Sequence, residues 1–123
     1  MTDDRALYEL ARDAAARAYA PYSGFEVGAA VLTSDGRTFT GANVENASYG
    51  LSLCAERAAL ARAVAEGAGP GALEAVAVTA APCGACRQCL LELGVERVLY
   101  PHRGELVARA PSELLPDAFR LAE

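Results

Sequence analysis

Leu53-Cys54-Ala55-Glu56-Arg57 and Pro82-Cys83-Gly84-Ala85-Cys86 are the two stretches on which the reading of this chain turns. Both sit at the predicted starts of helices. The Cys83 to Cys86 spacing puts two sulfurs on adjacent positions of one helical turn, so both can reach one ion. Cys54 supplies a third sulfur from the start of a second helix. Three protein ligands with an open fourth position form a catalytic zinc site, whereas a structural zinc is closed by four. The open position would hold water. Glu56, two residues after Cys54, can reach that water without binding the metal.

Working outward, Asp3 to about Tyr19 reads as a helix, with Leu7, Leu10, Ala11, Ala14, Ala15 and Ala18 recurring at three and four. Ala20-Pro21-Tyr22-Ser23-Gly24 breaks it. Phe25 to Leu32 fits a strand, and Ser34-Asp35-Gly36-Arg37 a tight hairpin turn in which Asp-Gly supplies positive φ angles. The return strand runs from Thr38 to Val44. A second helix is expected from near Leu51 to about Glu66, ended by the Gly67 to Gly71 cluster. Leu73 to Thr79 is a short strand. Pro82 opens a third helix over Cys83–Leu93, closed by Gly94. Val95 to Tyr100 and Glu105 to Ala108 are two further strands, joined by a turn over 101–104. Ser112 caps a last short helix before Pro116. The order α-β-β-α-β-α-β-β-α predicts a three-layer α-β-α sandwich around a five-stranded mixed sheet. With no internal repeat and no linker, residues 1–123 read as one domain.

Composition limits the chemistry. All 11 basic residues are Arg, so a lysine Schiff base or a phosphate-cradling lysine is excluded. The net charge of −5 argues against binding nucleic acid through its phosphates and suits a small neutral substrate. The first twenty residues carry Asp3, Asp4, Glu9 and Asp13, not a basic segment followed by an apolar one, and no apolar run reaches membrane-spanning length. A cytoplasmic protein is expected. Four cysteines there read as metal or catalytic groups more readily than as disulfides.

A Cys-x-x-Cys pair alone also fits a redox dithiol or a structural zinc. A redox motif needs no accompanying Cys-x-Glu, and the strand order is not thioredoxin-like. A closed structural site needs a fourth ligand, and Cys89 and His102 are the candidates. Cys89 lies six positions from Cys83, rotated well away on a helix, and reads as a buried core thiol. His102, between Pro101 and Arg103, reads as a surface turn residue. Electrostatics adds a check. Three thiolates and a hydroxide on zinc leave the site with net negative charge, a poor Lewis acid unless part of it is offset. Arg57 can donate to sulfur, and the helix starts direct partial positive charge at the ligands.

At this point the sequence resembles the small homotetrameric zinc-dependent cytidine deaminases over nearly its whole length. The resemblance rests on the segments 20–30 (APYSGFEVGAA), 41–49 (GANVENASY), 54–57 (CAER), 82–88 (PCGACRQ) and 113–119 (ELLPDAF). The Cys-x-Glu and Pro-Cys-x-x-Cys pair matches the zinc-deaminase signature, in which zinc-bound hydroxide attacks the pyrimidine and the glutamate shuttles protons. The resemblance implies one Zn2+ per chain on Cys54, Cys83 and Cys86, with Glu56 catalytic. It implies that Asn43 and Glu45 hydrogen-bond the ribose 3′-hydroxyl and that Phe25 packs beside the base. Ala55 and Glu56 would read the pyrimidine edge. Ala47 and Tyr49 would approach a neighbouring subunit's nucleoside, and Phe119 would cap the ring from another subunit. Arg57 and Gln88 would support the site. The expected activity is hydrolysis of cytidine and deoxycytidine to uridine and deoxyuridine plus ammonia, a pyrimidine salvage step, in a homotetramer with shared active sites. The chain departs from the family's usual pattern at Thr79-Ala80-Ala81-Pro82, where a longer loop is common, and at Cys89, where an apolar residue is common.

Three rival functions fit the sequence less well. A blasticidin-type deaminase needs a different pocket beyond the ring, against which Asn43 and Glu45 argue. A deoxycytidylate or RNA deaminase usually carries His as the first ligand and needs basic residues near the site. A zinc-stabilised binding module without catalysis has no use for Glu56 beside an open coordination position.

Overall fold

The computed structural model describes residues 2–121; Met1, Ala122 and Glu123, the ends of the expected 1–123 domain, lie outside the described residues. Helix α1 spans Asp4–Ala15. Asp3 caps it, its carboxylate accepting from the Ala6 N–H at 2.8 Å, and Leu7, Ala11 and Ala14 form its buried stripe. The helix stops four residues short of the expected Tyr19. Residue 19 is taken by a parallel bridge to Val44, with Tyr19 N–H donating to the Asn43 carbonyl at 2.9 Å and Glu45 N–H to the Tyr19 carbonyl at 2.8 Å.

Strands β1 (Gly28–Thr33), β2 (Thr38–Ala42), β3 (Leu73–Val78), β4 (Arg97–His102) and β5 (Glu105–Arg109) form a mixed sheet in the order β2-β1-β3-β4-β5. β3 and β4 are parallel; the other neighbours are antiparallel. Between the strands lie α2 (Ala55–Ala65) and α3 (Gly84–Glu92), and α4 (Pro111–Leu114) follows β5. Every residue of β1 is buried, because helices cover both faces of the sheet. Alternate residues point to opposite faces. Ala30, Leu32, Ala75, Ala77 and Leu99 meet Leu7 and Ala11 of α1. Ala29, Val31, Val76, Val78 and Val98 meet Ala55, Ala59, Leu60, Ala63 and Leu90 of α2 and α3. The sheet is the expected middle layer.

Two glycines set how closely the helices approach. A Cβ on Gly28 would stand 1.9 Å from the Ala11 carbonyl oxygen of α1. One on Gly41 would stand 2.5 Å from the Ala59 nitrogen and 2.9 Å from the Ala55 carbonyl oxygen of α2. Gly41 therefore lets the first turns of α2 lie directly on β2, which fixes where Cys54 and Glu56 fall.

Several boundaries differ from the sequence reading, each for a local reason. β1 begins at Gly28, not Phe25, because the backbone groups of Phe25 and Val27 bond to side chains of Ser23 and Asn43 in place of a strand. β2 ends at Ala42; Val44 instead exchanges backbone hydrogen bonds with Leu53 at 2.8 and 2.9 Å. That pairing, with a short 3₁₀ turn at Tyr49–Leu51, delays α2 from Leu51 to Ala55. In the first hairpin only Gly36 has positive φ (90°), not Asp35. Thr33 N–H donates to the Arg37 carbonyl at 2.9 Å and Gly36 N–H to the Thr33 carbonyl at 3.0 Å, a longer loop than a two-residue turn. Two consecutive positive φ angles occur at Arg103 (52°) and Gly104 (83°), so the second hairpin is the tight one. β4 accordingly runs on through Pro101 and His102 instead of turning there. Pro101 is tolerated because it lies past the β3 pairing, which ends at Leu99. The last helix is preceded by Ala110, not capped by Ser112; Pro111 opens it and Glu113 accepts from the Ala110 N–H at 2.8 Å.

Candidate active site

Cys54 is the N-cap residue of α2, Cys83 is the N-cap of α3, and Cys86 lies in the first turn of α3. Neither N-cap sulfur makes a full cap hydrogen bond to its own helix, but the first-turn Ala85 and Cys86 N–H groups of α3 act on the Cys83 sulfur. The three sulfurs lie within 4.8 Å of one another, and among the described residues they are the one His, Cys, Asp or Glu cluster with metal-binding spacing. Cys54 Sγ and Cys83 Sγ are 3.8 Å apart. Thiolates at about 2.3 Å from a tetrahedral zinc stand about 3.8 Å from each other, so the donor set fits zinc in chemistry and in span.

The thiols differ in their surroundings. Cys86 is fully buried, and burial, followed by the nearby Glu56 carboxylate and Cys54, pushes its thiol far above the ordinary range. Burial also raises Cys83, but the Cys86 and Ala85 N–H groups and the neighbouring thiols outweigh it and hold Cys83 below the ordinary value. The helix start is what makes Cys83 the readier thiolate. Arg57 Nη2 donates to Cys54 Sγ at 3.7 Å and to the Ser52 carbonyl at 3.4 Å, while its Nε is buried with no hydrogen-bond partner.

Glu56 is 4% exposed in the first turn of α2. Burial pushes its carboxyl up, opposed by its own N–H, the Cys86 thiol and Arg57. Its carboxylate lies outside the three-sulfur cluster. A carboxyl raised by burial beside a metal-binding cluster is placed to take and return a proton.

An open cleft of about 190 Å³ leads to this group, lined by Phe25, Val27, Asn43, Cys54, Ala55, Glu56, Ala80, Ala81 and Cys83. Phe25 is 62% exposed. Asn43 is anchored at both ends of its amide: Oδ1 accepts from Val27 N–H at 2.8 Å and Nδ2 donates to the Phe25 carbonyl at 2.9 Å. Glu45 is outside the lining, its carboxylate bonded to the N–H groups of Tyr22 and Ser23 at 2.9 and 3.1 Å and to the Ser23 hydroxyl. Ala47, Tyr49 and Phe119 are exposed and also lie outside the lining. Gln88 Nε2 donates to the Phe119 carbonyl at 3.1 Å, tying the C-terminal segment to α3.

Cys89 lies apart from the three sulfurs, half-buried against the core. His102 is exposed at the end of β4, in a strand where the sequence suggested a turn. Some contributors escaped sequence reasoning. Ala80 and Ala81 form a wall of the cleft, so the short loop before Pro82 is part of the site. Arg87 donates from Nε to the Pro82 carbonyl at 2.8 Å and from Nη1 to the Leu114 carbonyl at 3.0 Å, joining the start of the cysteine turn to α4. Its place one residue after Cys86 was the available signal, but the partner is distant in sequence.

Fold and site together define an α/β zinc protein with a buried carboxylate beside the metal cluster, the class of zinc hydrolases that act on a small ligand. Comparison with known proteins narrows that class. Residues 1–102 match the family described as the cytidine and deoxycytidylate deaminase zinc-binding region. A cytidine deaminase of Mycobacterium tuberculosis is 50% identical over 117 residues, covering 90% of this chain and 85% of the relative. One from Halalkalibacterium halodurans is 46% identical over 126 residues, covering 95% and 94%. The crystal structure of cytidine deaminase from Burkholderia pseudomallei superposes with a TM-score of 0.88 at 50% identity, covering 95% of this chain and 99% of that one. The chain belongs to the cytidine and deoxycytidylate deaminase family.

Proposed function

We propose that this chain hydrolyses cytidine and deoxycytidine to uridine and deoxyuridine, releasing ammonia, as a pyrimidine salvage enzyme. The observation that carries the reading is the buried Glu56 carboxylate beside three clustered thiols at the end of one apolar cleft. Cys54, Cys83 and Cys86 would hold one zinc ion per chain. Zinc in that position supplies Lewis acidity that makes water a nucleophile near neutral pH. Glu56 takes the proton from the attacking water and delivers it to the ring nitrogen. The water oxygen joins the ring carbon that bears the amino group; Glu56 then takes the second proton from that oxygen and passes it to the amino group, so that the carbon–nitrogen bond breaks, ammonia leaves and the ring carbonyl forms. The Ala55 backbone and Glu56 read the edge of the pyrimidine, and Phe25 packs beside its face. Asn43 and Glu45 receive the ribose. Arg57 offsets thiolate charge, and Gln88 supports the C-terminal segment. No Arg or Lys lines the cleft, which favours a nucleoside over a nucleotide.

Exposed side chains and an unfilled apolar groove support a homotetramer with shared sites. Tyr49 and Phe119 are 76% and 72% exposed, Ala47 is exposed as well, and all three would serve a neighbouring subunit's nucleoside. An apolar groove of about 500 Å³ lined by Leu53, Leu60, Val64, Cys89 and Leu93 offers a surface for a second copy. Residues 1–123 would act as one domain. No helix among the described residues is long and apolar enough to cross a membrane, and the four cysteines are free thiols, which suits a reducing cytoplasm.

The test pairs zinc stoichiometry with ammonia release from cytidine in the wild type and in Glu56→Gln. The amide is nearly isosteric but cannot accept a proton from water. The variant should keep its zinc and lose turnover by about 10⁴-fold, the upper end for general acid–base catalysis. Near-normal turnover would assign the proton transfers to another group, and lost zinc would make Glu56 a ligand.

A further inference from the structure

We infer that Ser23 is a positioning residue for nucleoside recognition: its single hydroxyl fixes the Glu45 carboxylate and the Phe25 backbone at once. The inference rests on the deaminase reading and names a residue that reading leaves out.

The donor directions are forced by chemistry. An ionised carboxylate only accepts, so the Ser23 hydroxyl must give its one proton to Glu45 Oε2. Its lone pair is then free to accept from the Phe25 N–H, at 3.0 Å. The Ser23 and Tyr22 N–H groups both donate to Glu45 Oε1. A carboxylate offers about four acceptor positions. Tyr22 N–H, Ser23 N–H and the Ser23 hydroxyl occupy three, leaving one on Oε2 for a ligand. Those donors also hold the Glu45 carboxyl below its usual range, the Ser23 hydroxyl most of all. Glu45 thus stays charged and presents a single acceptor.

The other end of the chain of bonds reaches the cleft. Phe25 has both backbone groups held: N–H by Ser23 Oγ, carbonyl by Asn43 Nδ2. Asn43 keeps one Nδ2 hydrogen in reserve. One ribose hydroxyl could therefore donate to Glu45 and accept from Asn43. Without the Ser23 hydroxyl, Glu45 gains a second open acceptor position and can rotate, and the Phe25 N–H loses its partner. Tyr22 to Glu26 are exposed, and no packing would restore them.

The experiment compares Ser23→Ala, Ser23→Thr and Ser23→Cys, in the zinc-loaded full chain and in a Glu45→Gln background. Ser23→Ala should raise KM for cytidine about tenfold, the size of one hydrogen bond to a charged group. Its kcat should stay within about twofold, because no group at the reacting atoms changes. Ser23→Thr, which keeps a hydroxyl, should restore KM to within about threefold. Ser23→Cys, a weak donor of similar shape, should behave like Ala and stands in for it if Ala does not fold. In Glu45→Gln the further change at Ser23 should add clearly less than it does in the wild type, because only the Phe25 contact is left to lose. Unchanged KM in Ser23→Ala, no rescue by Thr, or an equal effect in both backgrounds would overturn the proposal. An arm independent of turnover follows the Glu45 carboxyl by ¹³C NMR. Its titration should move to higher pH in Ser23→Ala, and an unmoved titration would also overturn it. If the wild type releases no ammonia from cytidine while this titration moves, the substrate assignment fails and the positioning role stands.

Discussion

Cys86 and Glu56, on the metal side of the cleft, are buried beneath the starts of α2 and α3, whereas Tyr49 and Phe119, assigned to the nucleoside side, are largely exposed on the surface of the same chain. The metal side is complete within one chain. Its positions are set by two helix starts resting on a sheet, with Gly41 letting α2 press against β2. The nucleoside side is held by loop hydrogen bonds around Phe25, Asn43 and Glu45 and is unfinished where Ala47, Tyr49 and Phe119 would contribute. On the proposed reading, the contrast teaches that proton transfer, which needs fixed distances, is placed in the buried interior, while recognition is left to surfaces that would meet on assembly.

The comparison is broken most severely at the ligands. Cys86→Ala should lose zinc and bring cytidine turnover down to the assay background, read by metal analysis beside ammonia release. Retained zinc with normal activity would mean that Cys86 is dispensable and the metal side wrongly drawn. Gly41→Ala comes next. The added methyl has backbone atoms of α2 at 2.5 and 2.9 Å, so either α2 or β2 must move. The expected cost is about 3 kcal/mol of unfolding free energy, the upper range for overpacking, with weakened zinc retention because Cys54 and Glu56 ride on α2. A thermal midpoint equal to wild type would show that the helix is free to shift. On the nucleoside side the effects should be smaller and of another kind. Removing residues from Phe119 onward should keep zinc and raise KM for cytidine about tenfold, consistent with loss of one aromatic contact, while weakening assembly on a sizing column. A fully active truncated monomer would contradict the assignment. Smallest is Cys89→Ala, in which zinc and turnover persist and stability drops by about 1 kcal/mol, the loss of one small core group. Loss of zinc there would place a fourth ligand in the cluster.

The same contrast explains what could be read before the structure was known. The three cysteines and Glu56 were legible because metal binding demands particular residue types at particular spacings, and both motifs fall at helix starts. The sheet and its layers were legible from the short apolar runs around 28–33 and 73–78. Boundaries were less so where long-range pairing overrides local pattern: Tyr19 with Val44, and Val44 with Leu53, shortened α1 and delayed α2. Turn chemistry misled at Asp35 and drew the second turn too wide, over 101–104 where Arg103-Gly104 alone turn the chain, because an Arg with positive φ has no sequence signature. Ser23 and Arg87 were not legible as network residues, since each joins a near neighbour to a partner more than twenty residues away.

The division of labour is tested most directly by complementation. Glu56→Gln lacks the proton carrier but keeps Phe119; Phe119→Ala lacks the cap but keeps Glu56. Each variant alone should be poorly active. Co-expressed with different tags and purified through both, mixed assemblies should regain cytidine turnover at low substrate, because a Phe119 from one chain completes the metal site of another. If the mixed assemblies show only the sum of the two parent activities, each chain's Phe119 serves its own site or none, and the account of a complete metal side with a shared nucleoside side is contradicted.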